Sequence, residues 1–545
     1  MLRILLLLFI CNAVNAQVTS SGPDPFYLVY FKDKALHNSI DSMPPLSSRS
    51  LERRVKQCIA LSESDYPVSG KYVKKIIQCE IKIMAESRWL NAVVINATVV
   101  QLSELLILPF VKNIYPLVNH GCKNAEVRSI PDMGLYSSDE QIKMLGLHHM
   151  HASGFTGKGK LIAVFDNGFS NVNKLNAYQI IFKEKRMVAT RNFVNPGLSV
   201  FETGSDGEHG ARVFSLLAAL MPPNFIGAAY DASFALAVSE DVSKEGLLEE
   251  INWLLAAEWA DSLGADIISS SLGYATKFTY GSDHTYAEMD GKTTIVSKAA
   301  TFAASKGILV VNAAGNDGSN PWMYISAPAD ADSCLAVGAV NVNGIYAGFS
   351  SIGPTFDERV KPDIAAMGAG TVTLSPAGYL RPGNGTSFAC PLIAGFAACL
   401  WQTNNSVRNM ELFNIIKESG NNAIYPDFHT GWGIPSAVIA YKNLNKTDLP
   451  QSLPVLDNIL TIIPNPVSQN FLIRFYFMGE PTNGEIIFYN GLAEQIEKHT
   501  VKLHTGNNYF SFSRHDLQLV KGLYMVQLIG VNQPLSIKNK ILVQD

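Results

Sequence analysis

Apolar and polar positions divide the chain into three unlike stretches. In the first, PFYLVYFKDK (25–34) predicts an opening strand and SSRSLERRVKQ (47–57) a charged helix. Residues 87–117, SRWLNAVVINATVVQLSELLILPFVKNIYPL, then alternate as strand, short helix and strand. A small α+β unit of about a hundred residues thus leads the chain. From residue 157 the pattern changes. KLIAVFD (160–166), ADIISSSLG (265–273) and GILVVNAAGN (307–316) are short, nearly unbroken apolar runs, as expected of strands buried on both faces of a parallel sheet. Between them EGLLEEINWLLAAEWADSLGA (245–265) repeats apolar residues at helical spacing and stops at Gly264. Strand, helix and strand in alternation predict a doubly wound α/β domain, whose functional groups gather beyond the carboxyl ends of its strands.

A polar, Pro-containing linker, KNLNKTDLPQSLP (442–454), closes that domain. After it, ILTIIPNPVSQNFLIRFYF (459–477), GEIIFYNG (484–491), NNYFSFSRH (507–515) and GLYMVQLIG (522–530) alternate between Gly, Asn and Pro breaks. They predict a small all-β sandwich. No internal repeat is present.

Composition narrows the picture. The 545 residues are 47% hydrophobic and 17% charged, enough apolar material for several cores. A net charge of −4, with Lys and Arg scattered, gives no footprint for nucleic acid. The opening MLRILLLLFICNAVNAQ has the layout of a secretory signal peptide cut after Ala16, its apolar run too short for a permanent membrane span. Beyond Cys11, the cysteines at 58, 79, 122, 334, 390 and 399 form no CxxC pair and no disulfide framework; Cys58 with Cys79 is an open possibility.

Four polar residues stand at strand ends or helix starts of the α/β domain. Asp166 closes an apolar strand before a tight Asn167-Gly168 turn; His209 and Ser387 each precede an apolar helix; Asn316 follows a strand in NAAGN. Each alone has a plain structural reading, as a turn residue or a helix cap. Together they supply acyl-transfer chemistry. A serine hydroxyl needs a base to take its proton, a histidine serves as that base, and a carboxylate fixes its tautomer and steadies its charge. The developing oxyanion needs fixed donors, and an Asn amide is one.

The segments AVFDNG, HGARV, SSSLG, AAGNDG, FSSIGP, KPDIAAMG and GTSFACPLIAG, in this order, resemble the subtilisin-like serine proteases, the subtilases, over about residues 140–445. The order Asp, His, Asn, Ser is that of the family, and there is no GxSxG elbow of the esterase kind. The resemblance implies a subtilisin-like fold, a triad of Asp166, His209 and Ser387, and Asn316 in the oxyanion hole. It further implies that Ser271, Leu272 and Gly273 pair with an extended peptide, and that Ala313, Ala314 and Gly315 flank the pocket before the scissile bond. The sequence departs from the family at Asn167, where Thr or Ser is usual, at Ala211 for Thr, and at Phe388 for Met.

By the same resemblance residues 17–130 are an inhibitory, fold-assisting propeptide rather than a retained domain. The cut is expected between YPLVNHGCKN and YSSDEQIKMLG. Residues 131–445 would be the peptidase. Within 446–545, IIPNPVSQNFLIRF, IIFYNGLAEQI, KGLYMVQLIG and IKNKILVQD resemble the C-terminal sorting domain of the type IX secretion system of Bacteroidota; an adhesive β-sandwich is the plainer alternative. The expected protein is a monomer, secreted or at the cell surface, that acts on protein or peptide substrates and meets the type IX machinery. No cofactor is required for the chemistry. Structural calcium is common in relatives, and Asp206, Asp283 and Asp290 are loose candidates. The competing function is a weak or inactive surface protein that uses the protease fold and the β-domain for binding.

Overall fold

A computed structural model describes residues 26–35, 43–117, 136–203, 207–222, 224–241, 246–276, 278, 282–447, 460–463, 467–477, 481–504, 506–530 and 536–544. The expected signal peptide, the expected leader cut and Asp206 lie outside these residues, as does Cys122. Cys58 and Cys79 are unpaired thiols.

The leader is an antiparallel sheet of β1 (Phe26–Phe31), β2 (Lys82–Ser87), β3 (Ala92–Asn96) and β4 (Val111–Leu117), in the order β2-β3-β1-β4. Its helices are α1 (Ser48–Lys56), α2 (Gly70–Ile77) and α3 (Val99–Leu106). Period-two alternation sends its two faces to different cores. Tyr27, Val29, Phe31, Val93 and Ile95 pack with Ile76 and Leu102 of the leader's own helices. Leu28, Ala92 and Val94 instead join the core of the next domain.

That domain opens with α4 (Asp139–Met144) and α5 (Leu147–Ala152). Its strands are β5 (Leu161–Asp166), β6 (Met187–Asn192), the short β7 (Leu220–Met221) and β8 (Phe225–Ile226), β9 (Ser233–Val238), β10 (Ile267–Ser270), β11 (Leu309–Ala313), β12 (Cys334–Val340) and β13 (Ile364–Met367), with a hairpin of β14 (Thr371–Leu374) and β15 (Leu380–Gly383). Its further helices are α6 (Gln179–Lys183), α7 (Glu208–Ala218), α8 (Leu247–Leu263), α9 (Ile295–Ser305), α10 (Thr386–Thr403), α11 (Asn409–Glu418) and α12 (Ala437–Asn445). Seven strands form one parallel sheet in the order β13-β12-β11-β10-β5-β9-β6. The sheet is covered on both faces, which is why its strands read as apolar runs. Ile162 and Val164 face α7 and α10; Leu161, Ala163 and Phe165 face α8 and α9. The chain starts at β5, builds towards β6 and then crosses to β10, so strand order reverses beside β5. Such a switch point opens a crevice at the carboxyl ends of the strands.

The leader lies against α8 and α9 and reaches the opposite end of this sheet. There Arg49 donates to Gly159 O at 2.8 Å and Gly264 O at 3.0 Å, Arg53 to Lys306 O at 3.2 Å, and Gln57 to Gly307 O at 2.6 Å. These carbonyls follow the last turns of α8 and α9 or precede β5, so the donors meet the negative ends of two helix dipoles. Beside them Asp261, fully buried, accepts from Arg53, from Arg54 at 2.9 Å and from Arg88 at 2.7 Å. Ser87 donates to Glu258 at 2.6 Å. A cavity of about 670 Å³ remains between leader and domain, lined by Phe26, Met84, Val94, Phe193 and Trp259, and none of Asp166, His209 and Ser387 lines it.

The tail is two sheets, β16 (Leu460–Ile463), β17 (Asn470–Phe477) and β20 (Gly506–Ser513) against β18 (Thr482–Tyr489), β19 (Gln495–Leu503), β21 (Gly522–Gly530) and β22 (Ser536–Val543). Phe471, Ile473, Ile486, Phe488, Val526 and Leu528 share the core between them. Among the described residues no helix is long and apolar enough to cross a membrane.

Candidate active site

Asp166, the last residue of β5, is fully buried at the crevice. Its Oδ1 accepts from the Asn167 backbone N–H at 2.8 Å and lies 2.7 Å from His209 Nδ1. His209 Nε2 lies 3.0 Å from Ser387 Oγ. A single line of hydrogen bonds thus joins carboxylate, imidazole and hydroxyl. Burial works against charge on the His209 ring, but the charge and hydrogen bond of Asp166 outweigh it and raise the histidine pKa above its ordinary value.

Neither His209 nor Ser387 is a helix cap. Gly207 and Gly385 hold the cap positions, and His209 and Ser387 sit inside the first turns of α7 and α10. Gly210 is what lets α7 come so close. A Cβ there would stand 2.2 Å from Gly168 O and 2.8 Å from Asp166 Cβ. Asn167, one of the departures, places its Oδ1 3.2 Å from the Gly210 N–H and ties that turn to β5.

Asn316 is exposed in the loop after β11. Its Oδ1 accepts from Thr386 N at 2.8 Å, and Thr386 Oγ1 lies 3.1 Å from the same atom. A backbone N–H can only donate, so the amide oxygen must face Thr386 and the Nδ2 donor points elsewhere. Thr386 Oγ1 also accepts from Gly315 N at 3.2 Å, so this buried hydroxyl knits the loop to α10.

Ser271 has a task that motif matching does not disclose. Pro391 lies within α10 and lacks the N–H that would bond Ser387 O four residues back. Ser271 Oγ donates to that carbonyl instead, at 2.8 Å. Leu272 O accepts from Asn312 Nδ2 at 2.8 Å, Gly273 is exposed, and Tyr274 pairs with Ala327. Ala313 and Ala314 are buried, and Ala314 packs on Ile325, Ala329 and Ala336. Gly315, at φ +114°, is half-buried and precedes Asn316.

Asp283 accepts from Phe278 N, and Asp290 from Lys292 N and Thr293 N, so both are engaged in turns. Among the described residues no group of three or more His, Cys, Asp or Glu side chains converges as a metal site.

A serine hydroxyl, an imidazole and a buried carboxylate thus lie in line at the crevice of a doubly wound parallel sheet. The chain belongs to the subtilase family, whose model matches residues 157–433. A second model, the peptidase S8 propeptide domain of Bacteroidota, matches residues 26–129. Subtilisin NAT of Bacillus subtilis subsp. natto and subtilisin E of Bacillus subtilis strain 168 are each 30% identical over 288 residues, which are 52% of this chain and 66% of theirs. The match thus spans just under two thirds of those relatives. Subtilisin of Bacillus pumilus is 30% identical over 291 residues, 52% of this chain and 92% of its own. Among solved structures, the epidermin leader peptide processing serine protease of Staphylococcus aureus shares the fold. It has a TM-score of 0.54 and 16% identity, over 77% of this chain and 99% of that one.

Proposed function

We propose that the chain is a serine endopeptidase that hydrolyses peptide bonds through an acyl-enzyme. The observation that carries this reading is the line Asp166, His209, Ser387, with contacts of 2.7 and 3.0 Å. In the first step Ser387 Oγ attacks the scissile carbonyl while His209 Nε2 takes its proton. His209 then gives that proton to the leaving amine, and water repeats the sequence to release the acid. Asp166 holds the imidazole and stabilises its charged form. Asn316 Nδ2, fixed through Thr386, and the N-terminal end of α10 face the oxyanion. An extended substrate lies along Ser271–Gly273 by strand addition, with Ala313–Gly315 beside the residue before the cut.

In this reading residues 17–130 are an inhibitory propeptide, and the buried contacts of Arg53, Arg54 and Arg88 favour it. Export begins with a signal peptide cut after Ala16. The tail sandwich serves as a type IX sorting domain, a reading supported by its closing motifs and its seven-stranded, two-sheet build. The full chain is tested beside Ser387→Ala for trimming and for cleavage of an unstructured protein. Trimming and cleavage by the wild type alone are expected. Identical maturation of both forms, with no degradation by the wild type, sinks the proposal. Mass spectrometry of the mature ends locates the cuts.

A further inference from the structure

His209 and Arg212 stand three residues apart in α7 and so share one side of the helix. The Arg212 guanidinium lies over the Phe388 ring, 4.7 Å from its centre, and that ring is 5.7 Å from the His209 imidazole. Its Nε donates to Thr373 Oγ1 at 2.9 Å and its Nη2 to Pro382 O at 3.1 Å, both on the β14–β15 hairpin. Gly383 leaves the space for this arrangement, since a Cβ there would lie 2.3 Å from Nη2 and 2.6 Å from the Phe388 ring. Stacked and tethered in this way, the guanidinium is held in one orientation, with Nη1 lacking a hydrogen-bond partner among the described residues.

The charges here do not balance. Arg381, on the same hairpin, is paired with Glu208, whereas Arg212 has no ion-pair partner among the described residues. Burial and the nearby Arg381 outweigh the opposing charge of Glu208 and bring the Arg212 pKa down to about 10, which still leaves it charged at neutral pH. An open cleft of about 510 Å³ nearby is lined by Lys174, Glu202, Glu208, Ser375 and Tyr379, and neither Arg212 nor Phe388 lines it.

The proposed mechanism tells which part of a substrate meets this side. Residues before the scissile bond run over the ends of β10 and β11. His209 must hand its proton to the leaving amine, so the chain after the bond passes His209 towards α7 and the hairpin. A stacked guanidinium with a free edge is suited to a carboxylate, which it binds with charge-assisted hydrogen bonds. We infer that Arg212, braced on Phe388, selects substrates with Asp or Glu directly after the scissile bond.

This inference rests on the endopeptidase reading, and one experiment separates the two. The matured full chain is given peptides that differ only in Glu, Gln or Lys directly after the cleaved bond. kcat/KM for Glu is expected to exceed that for Gln by about tenfold, with Lys poorest. In Arg212→Met, whose side chain still covers Phe388, the Glu-to-Gln ratio falls to about one; in Arg212→Glu the preference turns to Lys. Equal rates for Glu and Gln in the wild type, or an unchanged ratio in Arg212→Met, overturn the inference while the protease reading stands. A wild type that cleaves none of the peptides, like Ser387→Ala, removes the protease reading and this inference with it.

Discussion

Thr386 Oγ1 lies 3.1 Å from Asn316 Oδ1, while the Thr386 backbone N–H donates to the same oxygen at 2.8 Å. The residue before the proposed nucleophile therefore aims the proposed oxyanion donor. Asn316→Leu should lower kcat by about 10²–10³ with little change in KM, because the lost contact forms only as charge develops. Thr386→Val keeps the backbone bond and should cost about tenfold. The double variant should lose little more than Asn316→Leu alone. Additive losses in a double-mutant cycle would show that Thr386 acts by another route.

In the proposed mechanism the raised pKa of His209 sets the acid side of the activity profile. The imidazole must be neutral to accept the Ser387 proton, so kcat/KM should fall as pH drops through a value above the ordinary 6.5 for histidine. The sign for stability is opposite. The charged His209–Asp166 pair contributes fully below the unfolded pKa, and this is lost as pH rises through the folded one. Asp166→Asn removes the opposing charge, so it should move the acid limb downward and cut kcat by about 10⁴. A pH–rate profile of both forms checks position and height together.

Gly210 admits no side chain without displacing Asp166 or the Gly168 carbonyl. Gly210→Ala should therefore reduce kcat by at least about tenfold, since it disturbs the carboxylate under His209. Normal peptide turnover by this variant would show that the turn yields at no cost.

Asp261 is the shared partner of Arg53, Arg54 and Arg88. Removing one member of a buried ion cluster leaves the others uncompensated, typically at about 3–5 kcal/mol. Asp261→Ala, placed in the uncut Ser387→Ala chain, should lower the unfolding temperature and expose the leader to an added protease. Unaltered unfolding and digestion would mean that the apolar contacts of Leu28 and Val94 hold the leader by themselves.

The sheet was legible because strands covered on both faces are written as apolar runs: residues 160–166 anticipate β5 and 307–316 anticipate β11. The outer strand β19 was not, because QIEKHTVKL is largely solvent-facing and carries little apolar signal. Of the site, the polar residues at strand and helix ends stood out in sequence, whereas their supports did not. Ser271 is needed at the Ser387 carbonyl only because Pro391 comes four residues later, a relation that exists in space alone. Arg53 and Arg54 belong to a helix that reads as charged, yet both are buried, since the carboxylate they share, Asp261, lies some two hundred residues further on, and Arg54 also pairs with the buried Asp65.

The arginine contacts of the leader also bear on inheritance. Arg53, Arg54 and Arg88 are encoded far from Asp261 and Glu258, and each set is costly when buried without the other. Neither half can drift freely, so a leader borrowed from a relative with apolar residues at these places would be a poor match. Compatible exchange would require both halves to change together, as a lock is recut with its key.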